Sequence, residues 1–288
     1  MKASCVIALI LLFFSTGWAG DWGKQVVPKD VIEECLDLGG LVEVGYQTHY
    51  FHKGLIAGGD TVQGQLRYTF EDLALPLTFG VRYANIISPT TFANLFNDEL
   101  ALSGRVSLPS FAGILADLSY THYFYPEDPK TPLWPSSHGE IGLHLSRDLD
   151  WFVLRFDLFR NFGLPNAWNG TIPTLANQEN GAWFWDLGVD RRFEILGQGL
   201  VLGAGVAFAD NYWGAAPATQ TGGRSSGWNH YYLNAALPIE LNCRATLTPY
   251  IGYVGAPDTW LLNGMPDWAF RPMRSDHLFG GVNLSVSF

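Results

Sequence analysis

Segments of about ten residues in which apolar and polar side chains alternate recur along the chain, and this period constrains its fold most. In Thr61–Phe70 one parity carries Val62, Gly64, Leu66, Tyr68 and Phe70, and the other Thr61, Gln63, Gln65, Arg67 and Thr69. Leu77–Ala84 sets Leu77, Phe79, Val81 and Tyr83 against Thr78, Gly80, Arg82 and Ala84. Glu99–Leu108 sets Leu100, Leu102, Val106 and Leu108 against Glu99, Ser103, Arg105 and Ser107. A period of two belongs to a strand whose two faces meet different surroundings. Twelve such strands are expected, at 41–52, 61–70, 77–87, 98–108, 114–125, 138–147, 151–162, 181–193, 200–210, 228–241, 244–255 and 277–288. Their length suits a tilted crossing of a hydrocarbon core, whereas strands of soluble domains average roughly 5–6 residues. The expected fold is all-β, an antiparallel up-and-down transmembrane barrel.

The connections test this independently. Short ones fall at 71–76, 109–113, 148–150, 195–199 and 242–243, and long ones at 53–60, 88–97, 126–137, 163–180, 211–227 and 256–276. Short periplasmic turns alternating with long external loops are the pattern of outer-membrane barrels, with both chain ends in the periplasm. Charge agrees with it. Arg67, Arg82, Arg105 and Arg155 take the polar parity, as do Glu43, Asp117, Glu140, Asp157, Asp186 and Asp190. Arg at the lipid midplane costs about 2–4 kcal/mol, so a barrel requires such sorting. Arg160 and Arg191 break the rule, but near strand ends, where the cost fades. Val153, Phe159, Phe184, Val201 and Phe279 share the inward parity, which predicts apolar stretches in the lumen.

The two ends of the chain give the compartment. Lys2, the apolar run Val6–Phe14 and the small residues of Gly17-Trp18-Ala19 have the layout of a secretory signal peptide cleaved after Ala19. The expected organisation is a signal peptide at 1–19, a periplasmic segment at 20–40 and a barrel at 41–288. Within the segment, Val31, Ile32, Cys35 and Leu36 have helical spacing and suggest a short helix over 29–38. At the other end Leu278, Gly280, Val282, Leu284, Val286 and Phe288 share one parity. A last strand ending in Phe288 resembles the assembly signal that outer-membrane proteins present to the barrel-assembly machinery. Charged residues are only 15%, against roughly 25% in soluble domains. A net charge of −10 excludes nucleic acid as a partner. Expected partners are outer-membrane lipids, lipopolysaccharide and small solutes.

The first hairpin, Val44-Gly45-Tyr46-Gln47-Thr48-His49-Tyr50-Phe51-His52-Lys53-Gly54 followed by Val62-Gln63-Gly64-Gln65-Leu66-Arg67-Tyr68, resembles the opening of the TorF-like family of porins. Ala116–Pro126, with Tyr120, Tyr123 and Tyr125-Pro126, followed by Glu140, is similar to the middle of that family. The resemblance covers the first half of the chain after the leader. It implies a porin-like barrel and brings no catalytic residues.

Polar lumen lining is the expected role of the inward charges. Arg67, Arg82 and Arg105 lie on strands two to four, where they would form a basic wall opposed by Asp117, Glu140, Asp157 and Asp186, with Arg155 and His144 alongside. A transverse field of this kind selects among solutes; the alternative is a network of salt bridges that fills the lumen and stabilises it, and a mixture of the two is expected. Catalysis is not expected: the best local cluster, His144 with Ser146 and Glu140, spaces its members about 7 Å apart along one strand. Tyr46, Tyr50, Tyr68, Tyr83, Trp151, Trp183 and Trp185 read as interfacial girdles, and Trp168, Trp213, Trp260 and Trp268 as loop contacts for ligand or lipopolysaccharide. Cys35 and Cys243 fall on the same side and either pair as a disulfide or remain free thiols. No cofactor motif and no metal-ligand spacing is present. These observations predict a passive channel for small hydrophilic solutes, the alternatives being a barrel hydrolase acting on lipid and a non-conducting surface-binding barrel.

Overall fold

The computed structural model describes residues 38–53, 55–87, 98–126, 137–162, 183–195, 197–210, 226–257 and 276–288. Twelve antiparallel strands form the wall: β1 Gly40–Gln47, β2 Thr61–Phe70, β3 Leu77–Ile86, β4 Asp98–Phe111, β5 Ile114–Phe124, β6 Ser137–Asp148, β7 Val153–Phe162, β8 Trp183–Ile195, β9 Gln198–Asp210, β10 Ser226–Ala236, β11 Ala245–Gly255 and β12 His277–Ser287. Each pairs with its neighbour in sequence, and β1 pairs with β12 to close the sheet. At that seam Leu41 faces Ser287 and Gln47 faces Gly281. Phe288 finishes it: its amide donates to Gly40 O, and its carbonyl accepts from Leu38 N and Gly40 N, each at 3.0 Å. A closed sheet leaves no row of unpaired peptide groups, which in hydrocarbon cost several kcal/mol each.

Alternation decides which way each side chain points. Val44, Leu66, Phe79 and Leu118 project outward and are about half exposed, as a lipid-facing surface must be, while Glu43, Gln65, Arg82 and Asp117 face the lumen. Tyr46, Tyr68, Tyr83, Trp151 and Trp183 are exposed on the outer face, where an aromatic girdle lies. Arg160 and Arg191, which point outward near strand ends, lie against rings. The Arg160 guanidinium sits 5.1 Å from the Phe162 ring and 5.2 Å from Trp183, and that of Arg191 sits 4.7 Å from Phe193 and 5.3 Å from Trp151. Cation–π contact offsets part of the cost of a lipid-facing charge.

Most strand ends move by a few residues from their sequence expectation, for local reasons. β4 runs on to Phe111 and turns through Ala112 and Gly113, both at positive φ (52° and 75°), the geometry that matches the twist of a two-residue hairpin. β10 stops at Ala236 because Pro238 lacks an amide proton; pairing with β11 resumes at Ile239–Glu240. The turn that follows is pinned by Asn242 Oδ1, which accepts from the amides of Arg244 (2.8 Å) and Ala245 (2.9 Å). Cys243 lies in this turn and is disulfide-bonded. Its expected partner Cys35, the 1–19 leader, the 29–38 helix up to residue 37, and Trp168, Trp213, Trp260 and Trp268 lie outside the described residues.

One expectation is overturned. The first strand does not run to residue 52, and 53–60 is not an external loop. At Thr48 the chain leaves the wall, with its amide bonded to Gly280 O (2.9 Å) and its Oγ1 accepting from Gly280 N (3.1 Å). Tyr50–His52 and Leu55–Gly58 then pair as a small hairpin, with Lys53 at its tip at φ 48°. Tyr50 and Phe51 are fully buried, so this hairpin lies inside the barrel. Tyr50 is therefore not a girdle residue. Strict alternation carried past Gln47 hides the change, because the polar pair Thr48-His49 fits either a strand or a bend.

Candidate functional site in the barrel lumen

The lumen is organised around the tip of the inward hairpin. Lys53 Nζ reaches β6, where it is 3.1 Å from Glu140 Oε1, and lies 3.2 Å from the centroid of the Phe159 ring on β7 and 5.0 Å from that of Phe184 on β8. Burial pushes the Lys53 ammonium below its ordinary value, while Glu140, Asp157 and Asp186 pull the other way. The tip is also held through its backbone: Asn229 Nδ2 donates to Lys53 O at 2.9 Å. Asn229 reaches inward because a bulge between Ala207 and Phe208 on the β9–β10 pair shifts the register there. The shift sends Trp228 to the outer face and both Asn229 and His230 into the lumen.

The base of the hairpin is fixed on the opposite side. Tyr50 Oη donates to Glu99 Oε1 at 2.7 Å, and Arg82 pairs with the same oxygen. Phe51 packs against Phe279 with 4.2 Å between ring centroids and clusters with Tyr232 and Val254. Gly58 lies against Ile86 on β3, where a Cβ would come within 2.6 Å of its side chain. Along β2–β7 the inward residues nearest the long loops, such as Ala84, Ala101, Tyr123 and His138, are buried. Nearer the short turns Gln65, Arg67, Ser103, Arg105, Asp117 and Ser146 are partly exposed. On this side the inward residues are thus buried at the long-loop end and reach solvent in a vestibule at the short-turn end, while across the lumen Glu43, Asp190, Val201 and Asn234 stay buried near the short turns.

The expected lumen charges face inward, and the four arginines are engaged in ion pairs, as in the salt-bridge alternative. Each pairs sideways with a carboxylate on an adjacent strand: Arg67 with Glu43 (3.0 Å), Arg82 with Glu99, Arg105 with Asp117 and Arg155 with Asp190. Ladder neighbours are close enough for this and the opposite wall is not. Asp186 accepts from Tyr232 Oη, and the Tyr232 ring occupies space left by Gly188 and Gly205. His144 Nδ1 is 2.7 Å from Asp157 Oδ1, and its Nε2 is 2.8 Å from Ser119 Oγ. Ser146 and Glu140, the neighbours that the single strand suggests, are not its hydrogen-bond partners in these contacts.

Lys53 and Ser119 are lumen residues that the sequence reading did not weigh, and Glu99 was read there only by its parity. Glu99 and Ser119 were reachable from inward parity together with the short turns, which fix the register of β4–β7. Nothing local marks Lys53, because its place depends on the hairpin folding inward.

No protein-family model and no curated protein matches this sequence. Among solved structures the barrel is similar to an outer membrane channel from Pseudomonas putida F1, with a TM-score of 0.51 and 12% identity over 92% of this chain and 100% of that one. It also matches the KdgM porin (TM-score 0.48, 8% identity, 86% and 99% covered) and outer membrane phospholipase A from Escherichia coli (0.42, 14%, 87% and 93%). The first likeness establishes the fold, a closed barrel of outer-membrane type. The other two bear on nothing further at those scores, and the likeness to TorF-like porins stays a resemblance of sequence.

Proposed function

We propose that this chain is an outer-membrane channel for small hydrophilic solutes or ions, held nearly shut at its external end by the hairpin Tyr50–Gly58. The observation that carries the reading is the placement of that hairpin. Eight-strand barrels are filled by their own wall side chains, whereas sixteen-strand porins leave an open channel. In this twelve-strand barrel the obstruction includes a separate segment that enters from the rim, and such a segment can move without breaking the wall. Loop lengths set the long-loop end outside and the vestibule towards the periplasm.

Away from the rims, Lys53, Arg67, Arg82, Arg105 and Arg155 are matched by Glu140, Glu43, Glu99, Asp117 and Asp190. Among the described residues Asp157 and Asp186 are additional, so the formal balance of the described lumen side chains favours cations. In a planar bilayer with a salt gradient the protein is expected to give small, infrequent steps that reverse on the cation side. Replacing Arg67 with Gln leaves Glu43 facing the vestibule without its cation, and should raise the cation-to-anion permeability ratio by about twofold. A folded barrel that never conducts, or an Arg67→Gln variant that turns towards anions, contradicts this reading.

A further inference from the structure

Ser119, His144 and Asp157 form a hydrogen-bonded row across β5, β6 and β7, of which the channel reading uses only the charge of Asp157. The carboxylate is on Nδ1 and the hydroxyl on Nε2. In that arrangement the carboxylate holds the ring proton on Nδ1 and leaves the Nε2 lone pair aimed at the serine, as a general base needs. Strand register builds it: His144 faces Asp157 directly, and Ser119 faces Gly142. Gly142 is what lets the serine and the imidazole meet. A Cβ at that position would lie 2.6 Å from both Ser119 Oγ and His144 Nε2. A cation is at hand as well, because Arg105 stands opposite Ser119 in the β4–β5 ladder and is held there by Asp117. Ser119 and Arg105 are partly exposed to the vestibule.

We infer that Ser119 is the nucleophile of an acyl-hydrolase site for a small, water-soluble carboxylic ester entering from the vestibule. The continuous wall shuts the site off from lipid chains, which sets the substrate class. Ser119 Oγ bonds to the ester carbonyl carbon as His144 Nε2 takes its proton, and the carbonyl oxygen becomes an oxyanion beside the Arg105 guanidinium. Collapse breaks the bond to the alkoxy oxygen, which leaves as the alcohol with the proton from His144. Water then gives a proton to His144 and its oxygen to the acyl carbon. Ser119 departs with that proton, and the carboxylic acid is released. Asp157 is a positioning residue throughout.

The test is covalent labelling of the detergent-purified protein with a fluorophosphonate probe, mapped by peptide mass spectrometry, beside hydrolysis of p-nitrophenyl acetate. The adduct is expected on Ser119, and Ser119→Ala should abolish it. Asp157→Asn keeps the side-chain shape but favours the wrong imidazole tautomer, so labelling and hydrolysis should slow by about 10²–10⁴-fold. Heat-modifiable migration serves as the control for folding, and the channel steps of the wild type are recorded separately, so failure here is separable from failure of the channel reading. An unlabelled wild type overturns the proposal, as does an adduct on another serine. So does a Ser119 adduct that forms equally fast in Asp157→Asn, or hydrolysis that persists in Ser119→Ala.

Discussion

Replacing Lys53 with Glu converts a barrel of small, rare steps into a persistently open pore, with mean conductance raised about tenfold. The substitution sets a new carboxylate beside Glu140, with Asp157 and Asp186 near, where an ammonium stood 3.1 Å from Glu140 Oε1. Removing one partner of a buried pair costs about 3–5 kcal/mol even before the repulsion is added. Against this stands what keeps the hairpin seated. Burial of Phe51 and Tyr50 contributes about 1.5–3 kcal/mol each, the hydrogen bond from Tyr50 to the Glu99 carboxylate about 1.5–3 kcal/mol, and that from Asn229 about 1 kcal/mol. With the repulsion added the penalty is comparable with that stabilisation and falls at the tip, so the hairpin is expected to leave its seat while the wall stays intact. Planar-bilayer recording reads the change directly. A Lys53→Glu barrel with wild-type conductance would mean that the obstruction lies elsewhere.

The second large effect concerns the anchor on the other side. Arg82 is the cation on Glu99, whose side chain is 1% exposed, and its guanidinium also lies 5.8 Å from the centroid of the Tyr50 ring. Arg82→Met should destabilise the folded barrel by about 3–5 kcal/mol, because it leaves a desolvated carboxylate without its guanidinium. Urea unfolding in detergent, followed by the shift in electrophoretic mobility, measures it. Adding Glu99→Leu and Tyr50→Phe removes the stranded polar groups together and should recover most of the loss. If Arg82→Met alone is neutral, the pair is fully solvated and the filled long-loop end is wrongly described.

Most of the wall was legible in the sequence because a barrel strand repeats one simple demand, lipid on one face and lumen on the other. Phe70 and Phe79 on the outer face, and Arg67 and Arg82 on the inner, are fixed by period alone. Pairing was only half legible. Parity put Arg105, Asp117, His144 and Asp157 in the lumen, but ladder register decides that Asp117 takes Arg105 and that Asp157 takes His144. Nothing local marks Ser119; strand register places it diagonally across from His144. The inward hairpin was not legible. Tyr50-Phe51-His52 alternates like the strand before it, and the energy that turns it inward comes from Glu99, Phe279, Glu140 and Asn229, which lie far away in sequence. The bulge that aims Asn229 at the tip is likewise a property of the β9–β10 pair.

The most direct test of this account is the reactivity of Lys53 towards an amine-acylating reagent in the intact barrel, read by peptide mass spectrometry against the unfolded chain. A hairpin folded into the lumen predicts that Lys53 stays unmodified under conditions that fully modify it after unfolding, and that Lys53 is protected from either side of the membrane. Rapid modification of Lys53 in the folded protein would place residues 50–58 outside the lumen and contradict the account.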